Sequence, residues 1–254
     1  MSAIRLDIDG AIARLVLNRP DKRNALNLAM WRAIPGLVAQ AAQAHAVRLL
    51  VIEGAGDHFA AGADIAEFET TYATREAALE NQTIMAAAMS AIEDFPKPSL
   101  AAIRGACVGG GCGIALCADL RFAQTGARLG ITPGKLGLAY GVADTRRLVQ
   151  AVGLSKAKDI LFTGRLLDVK EAALIGLVDR VSDDVSATVA AFAAEIVAAA
   201  PFTATATKQI LRMLRDGATS ETPESRALFA SAFEGDDFKE GFRAFKEKRA
   251  PRFA

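Results

Sequence analysis

The chain is poor in the residue types on which many enzymes rely. Its 254 residues include two histidines, three cysteines, one tryptophan and two tyrosines. A Ser-His-Asp site would depend on His45 or His58, and no G-x-S-x-G frame exists to place its serine. Gly153-Leu154-Ser155-Lys156-Ala157 comes nearest and ends in alanine. His45 falls at a predicted helix end, exposed to water, and His58 reads as a variable surface position. Cys107, Cys112 and Cys117 recur every five residues, which fits neither a disulfide framework nor a C-x-x-C metal or redox motif. They are expected to be buried, reduced and structural. Carboxylates are scattered without a metal-ligand cluster. The formal net charge is only +1, against the basic footprint of nucleic-acid or anionic-membrane binding. The longest uncharged apolar stretch, from about Gly105 to Ala118, is glycine-rich and shorter than the roughly 18–20 residues of a membrane span. The amino terminus enters an alternating pattern at once, with no secretory signal, so a cytoplasmic protein is expected.

Hydrophobic residues make up 52% of the sequence, which excludes intrinsic disorder and supplies a core for one large domain or two small ones. Ile4–Ile8 and Ile12–Leu17 alternate around Asp9-Gly10 and predict a hairpin. A helix is expected from Leu26 to about His45 despite Pro35. Arg48–Glu53 and Ser99–Ile103 read as buried strands, with a long helix from Thr74 to Phe95 between them. Gly109-Gly110-Gly111 opens a helix to about Ala118, followed by a strand at Asp119–Ala123. Thereafter helices dominate: Gly141–Ala151, a segment capped by Ser155 and ending at Thr163-Gly164, Ser186–Ala200, Phe202–Leu214 and Asp236–Arg249. Asp168 and Glu171 have capping-box spacing, and Thr222-Pro223-Glu224 starts a further helix. Strands early and helices late give an α/β fold with a helical C-terminal extension.

Two loops can carry chemistry. Phe59-Ala60-Ala61-Gly62-Ala63-Asp64 follows the Arg48–Glu53 strand, and Gly109-Gly110-Gly111-Cys112-Gly113 follows the Ser99–Ile103 strand. Both are strand-to-helix turns, where unpaired N–H groups gather and the helix dipole is positive. Aimed at one point, two such groups form an oxyanion hole. The same glycines also suit tight turns and close packing, and the residues alone leave both readings open. No G-x-G-x-x-G or phosphate-loop frame fits either loop, which speaks against an NAD-linked oxidoreductase.

These motifs, in this order, resemble the crotonase (enoyl-CoA hydratase/isomerase) family over nearly the whole chain. The matching segments include Leu17-Asn18-Arg19-Pro20 with Asn24-Ala25-Leu26, the Phe59–Ile65 loop, Pro96-Lys97-Pro98, the triple glycine, Cys117-Ala118-Asp119-Leu120-Arg121, Thr163-Gly164-Arg165 and the tail Glu240–Arg249. The resemblance implies a spiral of ββα units over residues 1–200, with an acyl-CoA site, and a helical oligomerisation region over 201–254. It implies a homotrimer or a hexamer of two trimers, with no cofactor beyond the CoA of the substrate. By position, Ala63 and Gly110 would donate their N–H groups to the thioester oxygen, stabilising an enolate. Asp64 would stabilise its turn, and Ala61 and Ile65 would flank the substrate. Lys22, Arg23 and Lys248 would meet CoA phosphates, and the acyl pocket would be lined by the Ile65–Asn81 region.

The chain also departs from that pattern. Hydratases of the family place one glutamate two residues after the triple glycine and another in a following P-E pair; those positions are Gly113 and Pro133 here. Isomerases with a carboxylate at the Gly141 position find glycine there. Thr132-Pro133-Gly134-Lys135-Leu136-Gly137-Leu138-Ala139-Tyr140 resembles the methylmalonyl-CoA decarboxylase branch, which uses the tyrosine near the departing carboxylate and itself keeps a glutamate at the Gly113 position. Tyr140 is the residue carried over, with Thr132, Lys135 and Asp144 as lesser candidates. Asp144, Arg146 and Arg147 are expected to make surface ion pairs. The function expected is an acyl-CoA lyase or isomerase, with decarboxylase-like chemistry foremost; the alternatives are a genuine enoyl-CoA hydratase/isomerase that uses other acid–base residues and a non-catalytic CoA-thioester binder.

Overall fold

The computed structural model describes residues 2–253. In chain order the elements are β1 (Ile4–Asp9), β2 (Ile12–Leu17), α1 (Leu28–Gln43), β3 (Leu49–Gly54), α2 (Phe68–Thr71), α3 (Arg75–Glu93), β4 (Ser99–Ile103), β5 (Ala106–Val108), α4 (Gly110–Cys117), β6 (Leu120–Gln124), β7 (Arg128–Gly130), α5 (Val142–Thr163), β8 (Leu167–Asp168), α6 (Val169–Leu174), β9 (Arg180–Ser182), α7 (Val185–Ala198), α8 (Pro201–Arg215), α9 (Pro223–Ser231) and α10 (Asp236–Glu247). The main sheet runs β1-β2-β3-β4-β6-β9, and a second sheet runs β5-β7-β8. The hairpin β1–β2 is antiparallel, and every later pairing in the main sheet is parallel.

Alternation along the parallel strands sorts their side chains into two cores. Leu50, Ile52, Ala101, Ile103 and Ala123 face the larger core, which holds α1, α3 and α4. Leu49, Val51, Leu100, Ala102 and Phe122 face the other side, where Val185, Val189 and Ala193 of α7 cover them. α1 begins where the Asn27 side chain accepts the Met30 N–H at 3.0 Å, and it carries Pro35 inside, as expected. α3 is capped by the Thr74 hydroxyl, which accepts from the Ala77 N–H. All three cysteines are buried and free.

Four expectations need correction. His58 is half-buried, and its Nδ1 accepts the Ala106 N–H at 3.1 Å, so it joins the first loop to β5 instead of standing as a variable surface position. Within α5 the break falls at Gly153 (φ 75°), and no hydrogen bond from Ser155 caps a helix among the described residues. Asp168 does cap α6 through the Glu171 N–H, but the Glu171 carboxylate turns to Arg165 instead of closing the box. The reciprocal box lies at Thr222 and Ser225. Arg147 is 5% exposed and joins Asp144 to Glu93 of α3 inside the protein, so that part of the ion-pair network is buried.

No single helix among the described residues is long and apolar enough to cross a membrane. α7 and α8 together are apolar enough, but they meet at 103°, and α7 packs on the sheet.

Candidate active site

The first loop is built from the backbone. Asn24, fully buried with φ 56°, accepts the Arg19 N–H and donates to the carbonyls of Ala55 and His58, locking the Leu17–Leu26 turn to the loop. Ala61 donates to the Arg23 carbonyl, Leu26 to that of Gly62, and Asp64 to that of Leu26. Ala63 is thereby bridged to Leu26, with its own N–H given to no internal acceptor among the described residues. The Asp64 carboxylate pairs with Arg19 at 2.8 Å and accepts the Ala66 N–H. The hydrogen bond from Arg19 holds its carboxyl below the usual range, so it stays ionised and fixes the turn, as expected of it.

The second loop meets the first. A Cβ placed on Gly109 would lie 3.7 Å from Cα of Gly62, and one on Gly62 would lie 3.2 Å from the Val108 carbonyl oxygen. Both residues have positive φ, so glycine serves conformation and contact together. Gly110 is the first residue of α4; its N–H is one of the unpaired donors of a helix start and finds no internal acceptor among the described residues. Its Cα packs against Trp31 and Leu26, and those two side chains also line the cleft that holds Ala63. Ala63 lines this cleft together with Phe68, Tyr72, Asn81 and Met85, and Gly110 stands next to it, behind Trp31 and Leu26. These wall residues fall largely in the Ile65–Asn81 region expected for the acyl pocket. In this conformation the cleft has room for about one water.

One turn into α4 the chemistry changes. A Cβ on Gly113 would lie 2.9 Å from the Met89 methyl and 3.5 Å from the Tyr140 hydroxyl. That hydroxyl is buried with no hydrogen-bond partner, and burial raises its pKa well above the usual phenol value. Nearby, one oxygen of Asp144 accepts from Arg147 at 2.9 Å, while the other would lie 3.2 Å from a Cβ on Gly141. Burial raises the Asp144 carboxyl, with Arg147 opposing. Burial also acts to raise Glu93, but Arg147, Arg146 and Arg215 overcome it and hold that carboxyl below its usual range. Neither Pro133 nor Gly134 after it carries an acid.

The remaining candidates lie at the rim or beyond. Lys22 and Arg23 are exposed beside the first loop, and Ile65 is 69% exposed just past it. Thr132 precedes a single turn at Pro133–Lys135 and packs near Gly164 at the end of α5. Lys248 ends α10, exposed, and no recorded side-chain hydrogen bond or ion pair ties it to the cleft. Sequence reasoning missed Trp31 and Met89 as walls and the Glu93–Arg147–Asp144 chain. Arg147 and Glu93 lie 54 residues apart, and no local pattern pairs them.

Comparison with known proteins agrees with this geometry. The family model for enoyl-CoA hydratase/isomerase matches residues 7–254. A crotonyl-CoA hydratase of Syntrophomonas wolfei is 34% identical over 259 residues, covering 98% of this chain and 97% of the relative. A crystal structure of an enoyl-CoA hydratase/isomerase family protein from Hyphomonas neptunium superposes with a TM-score of 0.97 at 52% identity, over 100% of this chain and 98% of that one. An enoyl-CoA hydratase/carnithine racemase from Magnetospirillum magneticum gives 0.96 at 35% identity, over 100% and 96%. With a family model spanning almost its entire length, and with the loops and cleft described above, the chain belongs to the enoyl-CoA hydratase/isomerase family.

Proposed function

We propose that the chain is an acyl-CoA lyase whose substrate carries its own leaving carboxylate. The observation that carries the reading is a pair of unspent N–H groups, Ala63 in the cleft and Gly110 behind two of its wall residues, with no acid at Gly113 one turn further along α4. The two N–H groups receive the thioester oxygen. The bond from the α-carbon to the carboxylate breaks, CO₂ leaves, and the electron pair enters the thioester as an enolate held by the two donors. A proton from solvent or from the Tyr140 hydroxyl then ends on the α-carbon. Such a route needs no base to open it, whereas hydration needs a base for water and an acid for carbon, each worth roughly 10²–10⁴. In this reading the Tyr140 hydroxyl, which has no partner within the protein, donates to the departing carboxylate.

Lys22 and Arg23 at the rim, with Lys248, receive the CoA phosphates; Ala61, Asp64 and Ile65 frame the thioester, and Thr132 supports the Tyr140 loop. No cofactor beyond that CoA takes part. The exposed Phe229, Phe233, Phe242 and Phe245 of α9 and α10 and the segment between them join copies of the chain into a trimer or a pair of trimers. A cytoplasmic setting suits three buried, reduced thiols.

A second reading has its own observation. The free Asp144 oxygen beside Gly141 is a carboxylate of the kind a hydratase or isomerase needs. Mass spectrometry of a CoA-thioester panel incubated with the protein separates the two. Loss of CO₂ from a malonyl-type thioester supports the first reading. Water addition to crotonyl-CoA, seen as a gain of mass, or a shifted double bond, seen as a change in retention and ultraviolet absorbance at unchanged mass, supports the second and overturns the first.

A further inference from the structure

Asn81, Met85 and Met89 succeed one another at four-residue spacing and share one face of α3. Met85 and Met89 fit an apolar wall. Asn81 does not. It is 8% exposed, it sits well inside the helix, where asparagine is a poor helix former, and it lines the cleft beside Leu26, Trp31 and Phe68. Its only recorded hydrogen bond runs from Nδ2 to the Met85 sulfur at 3.7 Å, a weak acceptor. Its Oδ1 accepts nothing from the described residues. A leucine of nearly the same size would fill the space without leaving an amide underused in an apolar wall, so the fold alone gives no reason for asparagine here.

The character of the cleft narrows what the amide meets. Two carboxylates, Asp64 and Glu67, line the cleft, and its lining holds no lysine or arginine. Asp64 is already paired with Arg19 and Glu67 accepts the Leu28 N–H, so a second anionic group on the acyl chain would find no cation of its own in the lining. A hydroxyl or ketone oxygen would satisfy the amide without needing one.

We propose that Asn81 is a specificity residue that reads a neutral hydrogen-bonding oxygen, a hydroxyl or a ketone, on the acyl chain of the substrate. The proposal rests on the acyl-CoA reading of the cleft and is independent of which bond the enzyme breaks.

The test is binding, measured by calorimetry with unreactive saturated thioesters. Hexanoyl-CoA is compared with its counterparts bearing a hydroxyl or a ketone beyond the third chain carbon, out of reach of hydration or dehydration at the α- and β-carbons. The wild type is expected to bind at least one oxygenated ester about tenfold or more tightly than hexanoyl-CoA. Asn81→Leu is expected to bring that ratio close to one, with circular dichroism and a thermal melt on the same preparation showing that the variant is folded. Equal or weaker binding of every oxygenated ester by the wild type overturns the proposal, as does an undiminished preference in Asn81→Leu. If Asn81→Leu fails to fold, the wild-type panel decides alone. Failure of every thioester to bind overturns the acyl-CoA reading as well, whereas binding without discrimination removes Asn81 only.

Discussion

The two halves of the candidate site are built from different material. On one side, the Ala63 and Gly110 donors belong to the backbone and are held by a lattice of main-chain bonds: Leu26 to Gly62, Asp64 to Leu26, Ala61 to Arg23 and Gly109 to Gly130. On the other, where an acid or base would act, the positions are Gly113, Pro133 and Gly141, with Tyr140 and Asp144 close by. Backbone donors persist under almost any substitution that preserves the turn, while side-chain chemistry disappears with one codon. One fold can therefore keep its means of stabilising an enolate and change the way the enolate is reached.

The sharpest way to break this comparison is to remove a backbone donor without removing the helix start. Proline is favoured at the first position of a helix and has no N–H. Gly110→Pro is therefore expected to keep the fold and to lower turnover by about 10²–10³, the cost of one lost oxyanion donor. Its Cβ would press on Trp31 at 3.1 Å, so circular dichroism should accompany the rate measurement. Next in size is packing between the loops. A Cβ on Gly111 would fall 2.7 Å from both the Ala60 carbonyl oxygen and its Cβ, which cannot swing aside. Gly111→Ala should cost about 1–3 kcal/mol in chemical denaturation.

The other half should behave in reverse. Tyr140→Phe removes a buried hydroxyl that has no partner. Stability is expected to rise by up to about 1 kcal/mol. Decarboxylation, measured on the same preparation, should fall about tenfold or more. The smallest effect concerns pH. The arginines around Glu93 hold its carboxyl below its usual value of 4.5 in the folded protein. A depressed carboxyl contributes stability above its unfolded pKa, and loses it as pH falls through the folded value. Glu93→Gln should therefore be less stable than the wild type near neutrality, with the difference shrinking in unfolding titrations below about pH 4.

Local signals made half of this legible in the sequence. The hairpin at Asp9-Gly10, the strand–glycine–helix turn at Gly109–Gly111 and the helix start at Thr222-Pro223 each lie within a few residues, so pattern and turn chemistry reveal them. The second sheet was not legible, because β5, β7 and β8 are two or three residues long and exist only through pairing. His58 looked like surface because its partner, the Ala106 N–H, lies 48 residues away. Arg147 looked like surface for the same reason: Glu93 reaches it from another helix. The closeness of Tyr140 to Gly113 could not be read at all, since a loop and a buried helix meet there by tertiary packing.

On the function proposed above, this cleft stabilises an enolate formed by loss of a carboxylate and lacks the acids that hydration needs. Turnover of methylmalonyl-CoA and crotonyl-CoA, measured side by side on one preparation, tests it most directly. The expected result is decarboxylation that Gly110→Pro lowers by about 10²–10³, and crotonyl-CoA hydration slower by several orders of magnitude than a two-glutamate enzyme achieves, at roughly 10²–10⁴ for each missing group. Rapid hydration of crotonyl-CoA with no loss of CO₂ from methylmalonyl-CoA would contradict it and transfer the acid–base role to Asp144.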